Sequence, residues 1–214
     1  MSEHTLYIRQ LGLEGYLPVW QRMQAYTEAR DEHGHDEIWL VQHPPVFTLG
    51  RNGKPEHLLN LGDIPLVQVD RGGQVTYHGP GQIVAYLMLD IRRLGKGVRE
   101  VVSAVEDAII GYLADHGIEA KARADAPGVY VDGAKIAALG LRIKQGRSYH
   151  GLSFNIDMDL EPFSRINPCG YQGMEVTQLS NLHTDFDINE IEAELVRQLA
   201  SQLGYQQVEC LIDS

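Results

Sequence analysis

The chain has 214 residues, a formal net charge of -11, 43% hydrophobic residues and 22% charged residues. That size and balance suit one domain, expected over residues 1–214, with a full core, and the acidity argues against nucleic acid as the main partner. No signal peptide follows Met1, the longest apolar run (Ile83–Leu89) is too short for a bilayer, and two cysteines make no disulfide framework, so a cytoplasmic protein without membrane association is expected.

Thr5–Leu11 alternates as a strand. Pro18 suits the first turn of a helix that carries Trp20, Met23 and Thr27 on one face and ends near Gly34. Glu37–Gln42 and Val46–Leu49 read as extended, separated by His43-Pro44-Pro45. Arg51–Leu61 is a loop. Two strand-like runs, Pro65–Val69 and Ile83–Leu89, then flank Arg71–Gln82, RGGQVTYHGPGQ. Four glycines in those twelve residues let the backbone approach a ligand closely, so the stretch reads as a Gly-rich loop between strands, either a binding loop or an ordinary turn. It matches neither GxGxxG nor the P-loop.

Val98–Asp115 carries Val98, Val101, Val102, Val105, Ile109, Tyr112 and Leu113 on one helical face, and Gly117 stops it. Val129–Val131 leads into the hairpin signal Asp132-Gly133. Lys135–Lys144 and Arg147–Ile156 follow, joined at Gln145-Gly146. A two-residue turn there sets Ala138 opposite Ser153, Leu139 opposite Leu152 and Gly140 opposite Gly151. Without a bulge, Lys135 shares an apolar face with Ala137, Leu139, Leu141 and Ile143, while Ala138, Gly140, Gly151 and Ser153 form a small-residue patch open to a ligand. Glu161–Gln178 is irregular. Asp187 caps a last helix bearing Ile188, Ile191, Leu195, Leu199 and Leu203, and Gly204 ends it. The mixture gives an α+β fold class, with mixed, mostly antiparallel sheets and packed helices.

Cys169, between Pro168 and Gly170, is either a loop nucleophile or an inert thiol. Lys135 is either functional or a snorkelling strand-end lysine. His78 and His150 are proton carriers, substrate contacts or structural residues. Cys210 reads as structural or incidental. No HxxxH or CxxC occurs, so no metal is expected.

Four segments in order, RGGQVTYHGPGQ, GAKIAALGLRI, HGLSFNI and NPCG, resemble the lipoyl(octanoyl) transferases, with the match running from about Glu37 to Leu179. The resemblance implies a fold like that of biotin and lipoate protein ligases. It implies transfer of octanoate from acyl carrier protein to a lysine ε-amino group on lipoyl domains of 2-oxoacid dehydrogenase complexes or on the glycine-cleavage H protein, with no cofactor and no ATP. It assigns the acyl-bearing nucleophile to Cys169 and the tuning of that thiol to Lys135. The substrate pocket is carried over to Arg71, Gly72, Gly73, Gln74, Val75, Thr76, Tyr77, His78, Ala138, Leu139, Gly140, Gly151, Leu152 and Ser153. Leu139, Leu141 and Leu152 are the expected acyl wall, at about 0.8 kcal/mol per buried CH₂. Arg142, Lys144 and Arg147 are the expected basic rim for an acidic carrier. The competing readings are an ATP-dependent ligase and a non-enzymatic binding protein.

Overall fold

The computed structural model describes residues 5–31, 33–183 and 186–211, except for the Cys169 side chain. The strands are β1 Thr5–Leu13, β2 Asp36–Gln42, β3 Val46–Leu49, β4 Leu66–Gln68, β5 Val75–His78, β6 Gln82–Met88, β7 Lys121–Ala122, β8 Gly128–Val131, β9 Ala134–Lys144, β10 Arg147–Asn155 and β11 Gln207–Cys210. The helices are α1 Tyr16–Ala29, α2 Val98–Asp115 and α3 Ile188–Leu203.

Eight strands form the main sheet in the order β11-β1-β2-β6-β10-β9-β8-β7, and β4-β3-β5 form a small second sheet. β1 runs parallel to both β2 and β11, and β3 parallel to β4; the other pairings are antiparallel. β6 shows how the layers arise. Its alternate residues Ile83, Ala85 and Leu87 join the core under α2 and α3, while Val84, Tyr86 and Met88 join a second core with α1. Phe47, Val75, Tyr77 and Phe163 build a third cluster around the small sheet.

Two-residue turns set the hairpins as the spacing requires. Asp132 and Gly133 both have positive φ between Val131 and its partner Ala134. Across Gln145-Gly146, Lys144 pairs with Arg147, Leu139 with Leu152 and Gly140 with Gly151. Asp187 accepts from the Asn189 N–H at 2.7 Å, and Gly204 ends α3 at φ 92°.

The structure corrects three expectations. Arg71–Gln82 is not loop throughout: Val75–His78 has β-branched and aromatic residues, pairs with β3 over four residues, and buries Val75 and Tyr77. α1 ends at Ala29 rather than near Gly34, because Arg30 leaves the helix to place its guanidinium in a buried ion pair with Asp36 at 2.7 Å. Lys135 does not share the face of Ala137. Tyr130 pairs with Lys135 but Val129 pairs with Ala137, so Ile136 is an inserted residue. Ile136 and Ala137 both enter the main core, and Lys135 turns to the opposite side.

Candidate active site

A cavity open to solvent lies between the main sheet and the small sheet. β9 and β10 supply Ala138, Leu139 and Gly140 on one strand and Gly151, Leu152 and Ser153 on the other; β5 and the turn before it supply Gly73, Gln74, Val75, Thr76 and His78, with Arg71 beside them. The small residues leave this space. Gly151 is fixed by more than space, since a Cβ there would fall 1.9 Å from the Ala85 carbonyl oxygen of the neighbouring strand.

Two expected pocket residues lie elsewhere. Gly72 lines a neighbouring cavity with Leu141 and Tyr171, so Leu141 walls that space and not the first. Tyr77 alternates away into the third cluster, edge-on to Phe163. Tyr16, Val84 and Tyr86 line the first cavity without having been picked out in the sequence. They carry no local motif; only the pairing of β6 with β10 and the seat of α1 bring them there.

A smaller cavity shares Thr76, Ala138 and Ser153 with the first. Lys135 and Pro168 both line it. Lys135 is 4% exposed, and its Nζ donates to the Pro127 carbonyl oxygen at 3.1 Å and lies 5.1 Å from the Tyr130 ring centroid. Its backbone is clamped to the irregular segment: Lys135 N–H donates to Glu175 O, and Thr177 N–H donates to Lys135 O. Pro168–Gly170 is a 3-10 turn held by the Asn167 N–H donating to His57 O at 2.9 Å. The Cys169 side chain lies outside the described residues.

His78 and His150 also line the first cavity, and His43 stands behind its wall residue Tyr86. His43 Nδ1–H donates to Glu14 O at 2.6 Å, which leaves Nε2 to accept from the Tyr86 hydroxyl at 2.7 Å. His150 sits at φ 59° in mid-strand, a costly conformation for a non-glycine residue. Its Nε2 donates to Asp70 at 2.9 Å, and Tyr149 and Trp20 donate to the same carboxylate. Burial opposes ionisation of Asp70, but the hydrogen bonds from His150 and Tyr149 outweigh it and hold this acid well below the usual carboxylate range. Burial also lowers His43 and His150, and pushes His78 down to about 3 with His43 adding to the effect.

These histidines tie stability to pH. Their folded pKa values lie below the unfolded value of about 6.5, so the stability they confer is present above about pH 6.5 and lost as pH falls from there. The urea midpoint is expected to drop between about pH 7 and pH 5, and His78→Gln should make that drop shallower.

The expected basic rim is largely neutralised. Lys144 pairs with Glu28 at 2.6 Å and Arg147 with Asp90 at 3.7 Å. Among the described residues, no helix is long and apolar enough to cross a membrane.

The model of the lipoyl protein ligase A/B catalytic domain matches residues 16–200. The octanoyltransferase of Stutzerimonas stutzeri (strain A1501) is 61% identical over 211 residues, covering 99% of this chain and 96% of that one. In fold, the chain is similar to one from the structure of a bi-partite lipoate protein ligase and its E2 lipoyl domain from Thermoplasma acidophilum, with a TM-score of 0.74 at 17% identity over 100% of this chain and 89% of that one. It is also similar to the biotin protein ligase of Aquifex aeolicus, with a TM-score of 0.55 at 9% identity over 94% of this chain and 69% of that one. The α+β sheet domain, the family model over most of the chain and the near full-length identity converge: this chain belongs to the lipoyl protein ligase A/B catalytic-domain family, within its octanoyltransferases, and is an acyltransferase.

Proposed function

We propose that the enzyme moves an octanoyl group from the phosphopantetheine thioester of acyl carrier protein to the ε-amino group of a lysine on a lipoyl domain, by way of a Cys169 thioester. The acceptors are lipoyl domains of 2-oxoacid dehydrogenase complexes and the glycine-cleavage H protein. One observation carries the reading: Lys135 is buried on the wall of a cavity that Pro168, the residue before Cys169, also lines, and that cavity adjoins the larger one.

Each step follows from ordinary acyl chemistry. The Cys169 thiolate attacks the donor carbonyl, the carbon–sulfur bond to pantetheine breaks, and the departing thiolate takes its proton from the Lys135 ammonium. The Lys135 ammonium favours the Cys169 thiolate over the thiol. The acceptor amine must be neutral to attack, so it gives up one proton, and Lys135, once deprotonated, accepts it. The amide forms and the thiolate is released. A thioester already stores the energy the amide needs, so no ATP enters. The octanoyl chain lies in the first cavity against Val75, Val84, Leu139 and Leu152. The residues proposed to hold it are Arg71, Gly73, Gln74, Thr76, His78, Ala138, Gly140, Gly151 and Ser153.

Intact-mass spectrometry of the enzyme mixed with octanoyl-carrier protein, without ATP, tests this. One added octanoyl group, released by hydroxylamine and missing in Cys169→Ala, is expected. A Cys169→Ser enzyme that modifies lipoyl domains at full rate from free octanoate and ATP would instead make the protein a ligase.

A further inference from the structure

α2 buries one carboxylate. Glu106 is 7% exposed and is the one charged residue among the buried positions of α2. A carboxylate in such a place is costly unless hydrogen-bonded, and Oε1 accepts from the Gly128 N–H at 2.8 Å. That N–H is one end of the peptide group joining Pro127 to Gly128. The other end, the Pro127 carbonyl oxygen, accepts from Lys135 Nζ at 3.1 Å. Carboxylate, peptide and ammonium therefore stand in line, and hydrogen bonds in series strengthen one another.

The peptide is brought this close by its glycine. Gly128 has φ 141°, and a Cβ there would lie 2.5 Å from the Ala137 carbonyl oxygen and 3.2 Å from Lys135 Nζ. The carboxylate also senses the lysine directly. Burial raises Glu106, while the Gly128 N–H and the charge of Lys135 pull the other way.

We propose that Glu106 is a positioning residue for acyl transfer: through the one peptide group between Pro127 and Gly128, it fixes the carbonyl that anchors the Lys135 ammonium. This rests on the Cys169 and Lys135 chemistry proposed above. It is more than the satisfaction of a buried N–H, because loss of the anchor shifts the titration of a thiol that Glu106 is not proposed to touch.

The test follows alkylation of Cys169 by iodoacetamide against pH, with octanoyl transfer measured alongside, in full-length enzyme carrying Cys210→Ser to remove the exposed second thiol. Glu106→Gln keeps an acceptor oxygen in place, so its alkylation midpoint and kcat are expected to stay near those of the parent. Glu106→Leu should raise the midpoint by about one unit and lower kcat about tenfold, with KM for the donor little changed. Glu106→Asp keeps the charge but withdraws it by one methylene, and should also raise the midpoint; it carries the test should the leucine variant not fold. An unmoved midpoint in Glu106→Leu or Glu106→Asp, beside a moved one in Lys135→Met, overturns the proposal alone. A glutamine variant as impaired as the leucine variant overturns it too, since charge and not the held carbonyl would then be at work. An unmoved midpoint in Lys135→Met removes the underlying thiol chemistry, and this proposal with it.

Discussion

Lys135→Met is expected to lower kcat for octanoyl transfer by about 10²–10⁴-fold, the usual worth of a positioned proton-transfer group. Methionine keeps the length and the apolar stem, so the cavity shared with Pro168 stays filled. What goes is the cation. Without it the Cys169 thiol should titrate nearer its free value of about 8.5, and the alkylation midpoint should rise. Stability should not suffer, because removing a charge that is 4% exposed relieves a desolvation cost. Steady-state transfer to a lipoyl domain, read with a thermal melt, checks both halves. A variant within about threefold of the parent rate would rule out a proton-transfer role for this lysine.

Asp36→Ala should be the most damaging substitution far from the cavity. Asp36 is 2% exposed, and four donors converge on it: Arg30 at 2.7 Å, Arg93 at 2.8 Å, the Asp90 N–H at 2.7 Å and the Tyr205 hydroxyl at 2.8 Å. Together they tie β2, the end of α1, the segment after β6 and the residues after α3. Alanine strands the Arg30 guanidinium in the core, and breaking such a buried pair costs about 3–5 kcal/mol. At about 2–4 °C per kcal/mol for a chain of this size, Tm should fall by about 6–20 °C. Arg30→Met with Asp36→Leu removes both charges and should recover much of the loss. A single variant that melts within about 2 °C of the parent would show that the cluster contributes little.

Local pattern and pairing rules carried much of the architecture. Val98–Asp115 is readable because its apolar spacing, its length and Gly117 agree. The β9–β10 register is readable because a two-residue turn leaves one way to pair. A strict two-residue alternation puts Lys135 on the wrong face because an inserted residue leaves no mark in composition: Ile136 and Ala137 look alike as apolar residues, and only the partner strand β8 shows that they share one rung. Tyr16 and Tyr86 were missed for a related reason. Each reads as an ordinary core aromatic, and what makes them cavity walls is distance in space, not spacing in sequence. Glu106 was invisible too, because a single acidic residue in an amphipathic helix predicts a solvated side chain.

The contact between Gly151 and the Ala85 carbonyl bears on redesign toward other acyl donors. β6 and β10 are neighbours in the middle of the eight-stranded sheet, so any side chain at residue 151 would prise that seam open before it reshaped the chamber. Ser153 and Ala138, which pair with each other across β10 and β9 and border both cavities, have no such backbone clash to overcome. Under the proposed placement of the acyl chain, libraries seeking a shorter or branched acyl preference should vary that rung and leave the glycine untouched.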